Sequence, residues 1–205
     1  MKGKRKNRTL PLDRPLSAVS KRAFDLFGAV ALIILTLPLM MFAALGVRLS
    51  SAGPIIFKQV RVGKGGRKFE ILKFRSMRVN GIADTAWTTA GDPRRTAFGR
   101  FIRKTSIDEL PQLFNVLSGS MSLVGPRPEI PYHSERFESN FPLYSMKYRV
   151  KPGITGLAQI RGLRGDSSIE KRISSDVYYV ENWTFFLDIR ILLKTPFKAF
   201  NKNEC

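Results

Sequence analysis

The chain has 205 residues and a formal net charge of +19, which suits one compact domain that meets acidic partners. Nucleic acid, anionic lipid and phosphorylated small substrates all fit this charge. The one cysteine, Cys205, excludes an intrachain disulfide, and the one histidine, His133, argues against a histidine-based zinc site or catalytic triad.

The first 20 residues are basic, contain Pro11 and Pro15, and lack any apolar period. We predict that residues 1–20 form a disordered tail. Its charge is either simply solvated or in contact with anionic lipid, where each basic residue near the surface contributes about 1 kcal/mol.

An uncharged run of 22 residues, Leu26–Val47, follows, and this is long enough to span a bilayer as a helix. Lys21 and Arg22 precede the run and further basic residues follow it, so both flanks favour the cytoplasmic side. Pro38, near the middle, removes one backbone hydrogen bond and kinks a helix. We therefore predict a re-entrant membrane helix over residues 21–48, with a straight spanning helix as the alternative. A signal peptide fits poorly, because the run is too long and no small-residue cleavage site follows it.

Residues 49–205 hold the remaining elements. Two β-rich runs, 55–62 and 68–74, flank a glycine-rich turn and predict a β-hairpin. Residues 79–95 have the composition of a loop. Apolar residues at helical spacing predict helix within 96–117.

Prolines shape the second half of the chain. Gly125–Pro128 is predicted as a stiff non-helical loop, and residues 136–148 as a helix broken by Pro142. Residues 168–200 are predicted to be helical. The aromatic residues of this segment include Tyr178, Tyr179, Trp183, Phe185, Phe186 and Phe197.

These rings lie close to the basic residues Arg190, Lys194 and Lys198, which fits amphipathic helices in the membrane interface. Ordinary core helices with a basic face are the alternative. The predicted fold class is therefore mixed α/β and mostly helical. It comprises an N-terminal re-entrant membrane helix, a small β-hairpin and interfacial amphipathic helices.

Two adjacent carboxylates, Asp108 and Glu109, are the first candidates for chemistry, because they follow a basic stretch that includes Arg103. A carboxylate can act as nucleophile, general base or metal ligand, and nearby cations keep it ionised and bind phosphate oxygens. Hard oxygen ligands beside phosphate substrates suit magnesium. The alternative is a capping box, in which Ser106 caps a helix and Glu109 occupies its third position.

Two further basic segments could bind anions. Arg127 is fixed between Pro126 and Pro128, and its guanidinium matches phosphate geometry, although the loop could equally be a rigid turn with an exposed arginine. Lys73 and Arg75 alternate along a strand, so we expect both on one side of it, as a solvated face or as half of an anion pocket.

Several motifs occur in a fixed order between about residue 20 and residue 200. They are Lys21-Arg22-Ala23-Phe24-Asp25, Lys73-Phe74-Arg75-Ser76-Met77, Ser106-Ile107-Asp108-Glu109-Leu110-Pro111, Gly125-Pro126-Arg127-Pro128, Lys151-Pro152-Gly153-Ile154-Thr155-Gly156-Leu157-Ala158-Gln159 and Asp176-Val177-Tyr178-Tyr179-Val180. Together they resemble the monotopic phosphoglycosyl transferases, also called bacterial sugar transferases.

The resemblance implies an enzyme that moves a sugar-1-phosphate from a UDP-sugar to polyprenyl (undecaprenyl) phosphate and releases UMP. This is the first membrane step of surface glycan or exopolysaccharide synthesis. The resemblance makes Asp108 the nucleophile, through a covalent aspartyl phosphosugar intermediate, and Glu109 its catalytic partner. It places Mg²⁺ at Asp108 and the diphosphate. The positions that it implies for substrate binding are Lys73, Arg103, Arg127, Pro128 and Gln159.

The resemblance also implies that residues 49–205 are a catalytic domain on the cytoplasmic face of the bacterial inner membrane. Membrane lipids are then further partners, nucleic acid is not, and a homodimer is left open. The membrane helix of the best-known family member breaks at a Ser-Pro pair; here Leu37 replaces the serine and Pro38 is retained. A membrane-tethered nucleic-acid-binding protein and a non-catalytic membrane scaffold remain the alternative functions.

Overall fold

The computed structural model describes residues 9–78, 92–163 and 167–200, the side chains of 198–200 excepted. Helix accounts for 61% of the structure and two small sheets accompany it, which confirms the predicted mostly helical α/β fold. The helices are α1 (Pro15–Ser50), α2 (Ala97–Lys104), α3 (Gln112–Ser118), α4 (Pro131–Asn140), α5 (Leu157–Ile160), α6 (Ile169–Glu181) and α7 (Phe185–Phe200). The strands are β1 (Ile56–Val62), β2 (Lys68–Phe74), β3 (Ser122–Val124) and β4 (Gly153–Thr155). Short 3₁₀ turns occur at Pro11–Asp13, Lys64–Gly66, Ile107–Glu109 and Tyr144–Arg149.

The N-terminal segment is more ordered than its composition predicts. Helix α1 begins at Pro15, so the predicted tail is wrong for residues 15–20. A proline at the first helical position is favourable, because its fixed φ suits a helix and its missing N–H has no partner to lose. Ahead of it, Leu10 is buried in the core, and the Asp13 carboxylate pairs with Arg149 at 2.7 Å. These contacts hold the segment against the domain.

Helix α1 is the one helix in the described part of the chain that is long and apolar enough to cross a membrane. Only 17% of its most apolar stretch is buried inside the protein, so it is unlike the core helix of a soluble domain. Its 36 residues make it about 54 Å long, against a hydrocarbon core of about 30 Å. The helix continues through Pro38, and the re-entrant course stays a prediction.

Both halves of α1 contact the rest of the protein, whereas its middle, around Leu35 and Leu37, is exposed. The buried residues of its N-terminal half are Lys21, Asp25 and Ala29, and those of its C-terminal half are Met40, Ala43 and Val47. The second group shares a hydrophobic core with Phe74, Ile102 and Ile107. The two ends of the long helix therefore rest on one folded domain.

A buried polar group, here called the anchor cluster, attaches the N-terminal half of α1. It consists of Lys21, Asp25, Ser122, Tyr179, Trp183 and Asp188. The Lys21 ammonium lies 2.8 Å from an Asp25 oxygen and 3.0 Å from an Asp188 oxygen, and it donates to the Ser122 hydroxyl. The Tyr179 hydroxyl and the Trp183 indole both donate to Asp188. The cluster thus joins α1, β3, α6 and α7.

The predicted hairpin is present. Strands β1 and β2 pair antiparallel, from Ile56 opposite Phe74 to Val62 opposite Lys68. The Asn115 side chain on α3 donates to the Glu70 carbonyl and accepts from the Leu72 amide, at 2.8 Å and 2.9 Å. This side chain occupies backbone groups of β2 as a neighbouring strand would, and it fixes α3 against the hairpin.

The predicted helix over 96–117 is divided into α2 and α3. Ser106 adopts a left-handed conformation at φ 60°, which ends the helical path and starts the 3₁₀ turn Ile107–Glu109. A left-handed non-glycine residue costs roughly 1–2 kcal/mol, so the surrounding structure must hold it. Periodicity could not reveal this break, because the apolar spacing continues across it. Most of the predicted loop at 79–95 lies outside the described residues.

The helices predicted for the C-terminal segment are confirmed, whereas the prediction that its aromatic residues lie in the membrane interface is wrong for some of them. Two helices, α6 and α7, occupy 168–200. Tyr179 and Trp183 are buried core residues, so their predicted place in the membrane interface is wrong. Phe186 and Phe197 are about four-fifths exposed, at 80% and 77%, and the interfacial prediction stays open for them. The helix predicted over 136–148 is α4, which begins earlier and ends before Pro142 as expected.

Candidate active site

The paired carboxylates lie in the turn that the left-handed Ser106 creates between α2 and α3. Ser106 makes no side-chain capping hydrogen bond, so the capping-box alternative is wrong. Asp108 is 7% exposed, and Glu109 is partly buried beside it. We call the group Lys73, Arg103, Asp108, Glu109 and Arg127 the Asp108 site.

Glu109 is the centre of the ion pairs in this site. Its Oε1 atom accepts from the Lys73 ammonium and from an Arg127 guanidinium nitrogen, each at 3.0 Å. Lys73 comes from β2 and Arg127 from the loop after β3. Three separate segments therefore meet at one carboxylate oxygen.

Cations surround Asp108 as well. Burial lowers the pKa of Lys73 and of Arg103, and the nearby Glu109 and Asp108 carboxylates oppose this lowering in both cases. The Glu109 carboxylate is the main cause that raises the pKa of Arg127, and burial opposes this effect. These basic side chains lie beside the acids, where they can meet an anionic ligand.

A second layer of charged residues supports the Arg127 loop. Arg61 on β1 donates to the Pro128 carbonyl at 3.3 Å and lies 3.8 Å from a Glu129 oxygen. Burial lowers its pKa to about 10, which still leaves it charged at neutral pH. Glu129 also pairs with Arg172 on α6. Sequence reasoning missed Arg61, Glu129 and Arg172; the one available signal was the position of Glu129 directly after the proline-flanked loop.

Not every predicted site residue joins this group. The Pro128 carbonyl accepts from Arg61, and the predicted substrate contact of Pro128 stays a prediction. Gln159 donates to the Ile154 carbonyl at 2.9 Å, and its predicted substrate contact stays a prediction. Arg75 lies beyond the end of β2, where it donates to the Ser51 carbonyl at the end of α1. Arg75 is buried, so the solvated-face alternative is wrong for it, and its place in an anion pocket stays a prediction.

The donor set fits the way proteins hold magnesium beside phosphates. No group of three or more metal-ligating side chains occurs in the described residues, so a metal cage made only of protein is not present there. Magnesium is commonly bound by one or two carboxylates together with substrate phosphates and water. Asp108 and Glu109 are the two carboxylates of this site that could serve in this way.

Comparison with known proteins identifies the class to which this fold and site belong. Residues 16–202 match the family described as bacterial sugar transferase. The chain therefore belongs to the bacterial sugar transferase family and is a sugar-phosphate transferase.

Three relatives illustrate the range of the family. The UDP-glucose:undecaprenyl-phosphate glucose-1-phosphate transferase of Caulobacter vibrioides is 45% identical over 90% of this chain and 71% of its own length. The exopolysaccharide production protein PSS of Rhizobium leguminosarum bv. phaseoli is 42% identical over 92% of this chain and 99% of its own length. The UDP-N-acetylgalactosamine-undecaprenyl-phosphate N-acetylgalactosaminephosphotransferase of Aeromonas hydrophila is 45% identical over 90% of this chain, which spans 44% of that protein. Family membership favours an enzyme over the nucleic-acid-binding and scaffold alternatives.

Proposed function

We propose that the protein transfers a sugar-1-phosphate from a UDP-sugar to undecaprenyl phosphate and releases UMP, as a step in exopolysaccharide synthesis. The observation that carries this proposal is the buried Asp108, set among Lys73, Arg103 and Arg127 beside a membrane-type helix. Both substrates carry phosphate, and one of them is a lipid. The relatives' names include glucose and N-acetylgalactosamine donors, so the sugar of this chain is to be found by assay.

Asp108 acts as the nucleophile in this proposal. Its carboxylate attacks the phosphorus that bears the sugar, an Asp108 oxygen–phosphorus bond forms, and the bridging oxygen leaves with UMP. A phosphate oxygen of undecaprenyl phosphate then attacks the same phosphorus, the new diphosphate bond forms, and the Asp108 carboxylate is released. Each step exchanges one oxygen–phosphorus bond for another, so the proposal requires no redox partner.

The neighbouring side chains have distinct roles. Glu109, held at 3.0 Å by both Lys73 and Arg127, is placed to take the proton of a monoanionic acceptor phosphate. Lys73, Arg103 and Arg127 bind the diphosphate, where they stabilise charge that moves onto the leaving UMP. Magnesium bound at Asp108 and the diphosphate oxygens would supply further charge neutralisation.

We further propose that α1 is re-entrant and that the domain lies on the cytoplasmic face of the inner membrane. Both halves of α1 rest on the same domain, and basic residues flank both ends of its apolar run. A straight helix that crossed the bilayer would carry one of those halves to the opposite side. Exposed Phe186 and Phe197 on α7 fit the headgroup layer beside it.

Covalent trapping tests the chemistry. Purified protein is mixed with a panel of UDP-sugars without acceptor, and intact-protein mass spectrometry follows the gain of one sugar phosphate. The wild type should gain this mass and release an equal amount of UMP, whereas Asp108→Asn should gain nothing. Full labelling of Asp108→Asn would move the nucleophile elsewhere.

Labelling in cells tests the topology. Single cysteines replace exposed Ser20 and Ala52, on either side of the apolar run, in a Cys205→Ser background. A maleimide that cannot cross the inner membrane should leave both sites unlabelled until the cells are opened. Labelling of one site alone in intact cells would establish a straight span.

A further inference from the structure

Two cations, Arg22 and Lys151, come together apart from the Asp108 site, and the charge of a third, Lys64, acts on Lys151. Arg22 lies on α1, Lys64 in the turn between β1 and β2, and Lys151 after the 3₁₀ turn Tyr144–Arg149. The Arg22 Nη2 and Lys151 Nζ atoms lie 3.4 Å and 3.5 Å from the point where a side chain on Gly119 would begin. Both charges therefore converge on one small region, here called the cationic patch.

Lys151 differs from the other sheltered lysines of the described residues. Four lysines there are buried or half-buried: Lys21, Lys73, Lys147 and Lys151. The first three each pair with a carboxylate, whereas within the described chain Lys151 forms no hydrogen bond or ion pair through its ammonium group. Sheltered charges normally have a partner, because removal from water is costly without one.

The charges around Lys151 favour the binding of an anion. Burial lowers the pKa of Lys151, and the positive charges of Arg22 and Lys64 add to this effect, with Asp25 opposing it. The Arg22 guanidinium is fixed, because it donates to the Val116 and Leu117 carbonyls at 2.7 Å and 3.0 Å. A ligand phosphate would relieve the repulsion among three cations and give Lys151 the partner that it lacks.

The position of the cationic patch on α1 indicates where that phosphate comes from. Arg22 precedes Leu26, the first residue of the apolar run, by four residues, or about 6 Å of helix rise. In a membrane-inserted α1 this is the depth of lipid headgroups. We propose that Lys151, Arg22 and Lys64 bind the phosphate of an anionic phospholipid headgroup, separately from the substrates. This inference rests on the membrane placement of α1 within the proposed function, but not on the chemistry at Asp108.

Binding is measured without UDP-sugar or acceptor, so an inactive protein could still pass the test. The full-length protein in a neutral detergent is titrated with dioctanoyl-phosphatidylglycerol, and apparent affinity is obtained from the rise in Tm. Lys151→Gln should weaken the affinity by about five-fold or more, as expected for one basic residue near a lipid surface. Lys64→Gln, in an exposed turn, should weaken it less, and it keeps the test valid if Lys151→Gln folds poorly.

Lys171→Gln is the matched control, because Lys171 is an exposed lysine on α6. It should bind like the wild type, and dioctanoyl-phosphatidylcholine should raise the Tm of none of the proteins. Equal affinity in all three variants would overturn the proposal, because diffuse attraction would then explain the binding. An equal rise in Tm with inorganic phosphate alone would overturn the lipid assignment. A higher KM for undecaprenyl phosphate in Lys151→Gln, measured in phosphatidylcholine nanodiscs, would assign the patch to the acceptor and also overturn it.

Discussion

The anchor cluster and the Asp108 site are both built on sheltered lysine–carboxylate pairs, but their charge balance differs. In the anchor cluster one cation, Lys21, faces two carboxylates, whose side chains are 2% and 0% exposed. Neutral donors complete it, among them the Ser122 hydroxyl and the Trp183 indole. Every member thus has a partner inside the protein, and the cluster is closed.

The Asp108 site has the opposite balance. Three cations, Lys73, Arg103 and Arg127, share two carboxylates, and the Arg127 side chain is 35% exposed. An excess of positive charge that is open to solvent attracts anions, whereas a closed cluster fixes elements in place. The comparison teaches that ion pairs of similar length can serve attachment in one region and ligand binding in another.

Removal of the nucleophile should have the largest effect. Asp108→Asn should lower the rate of UMP release by more than about 10³-fold, because an amide cannot form the aspartyl intermediate. Glu109→Gln should lose about 10²–10⁴-fold, as for a general base, and keep slow formation of the intermediate. Exposed Glu138→Gln on α4 is the matched control and should resemble the wild type. Near-normal turnover of Asp108→Asn would refute the assignment.

Lys21→Met tests whether the anchor cluster is structural. Loss of the lysine leaves Asp25 and Asp188 without their cation, which should lower the free energy of unfolding by about 3–5 kcal/mol. For a chain of this size the Tm should fall by roughly 6–20 °C. Thermal unfolding in detergent measures the change, with exposed Lys171→Met as control. If Lys21→Met keeps the Tm of the wild type but its folded fraction loses UMP release, the anchor cluster is not a purely structural attachment.

Substitutions of Arg127 test whether the Asp108 site binds anions. Its interaction with phosphate is worth about 1.5–3 kcal/mol, so Arg127→Ala should lower kcat/KM by about 10- to 150-fold. Arg127→Lys should also be impaired, because lysine keeps the charge but loses the guanidinium fork. Tm should change little, since Lys73 still pairs with Glu109. A lower Tm with unaltered kcat/KM would make Arg127 a brace of its loop instead.

The smallest effect concerns pH. Burial raises the pKa of Asp188, with Lys21 opposing this effect. A carboxyl group with a raised pKa keeps its proton in the folded protein where the unfolded chain has lost it. Its contribution to the free energy of unfolding therefore falls as pH rises above about 4, the usual aspartate pKa. In Lys21→Met the pKa of Asp188 should rise further, because the opposing cation is gone. The difference in unfolding free energy between the wild type and Lys21→Met should therefore shrink when the pH is lowered from 7 to 5, by about 1 kcal/mol for each added unit of this pKa. Tm measured against pH for both proteins, with Asp188→Asn as reference, checks the sign; a loss that grows at low pH would contradict it.

The sequence predicted those parts of the fold that depend on neighbours along the chain. The β1–β2 hairpin follows from alternation and a glycine turn, and the loop at Gly125–Pro128 follows from prolines. The membrane-type helix follows from a long uncharged run. The start of α1 at Pro15 was missed, because contacts of Leu10 and Asp13 with distant residues order the segment before it.

The candidate site was predictable as a set of residues but not as an arrangement. Family motifs pointed to Lys73, Glu109 and Arg127, yet their meeting at one oxygen joins residues separated by 36 and 18 positions. Arg75, only two residues from Lys73, serves the end of α1 instead, because β2 has ended before it. Spacing along a strand predicts a shared face only while the strand lasts.

The long apolar helix with basic flanks, the strong positive charge and the two adjacent acids could all be read from the chain alone. Composition and the order of neighbouring residues are enough to define these features. Tertiary structure alone decided the left-handed break at Ser106, the burial of Tyr179 and Trp183, and the closure of Lys21 on Asp188. Each of these depends on segments that are distant in the chain and lose entropy when they meet. The contacts of the packed domain compensate for this loss of entropy, and a local pattern of residues does not predict these contacts.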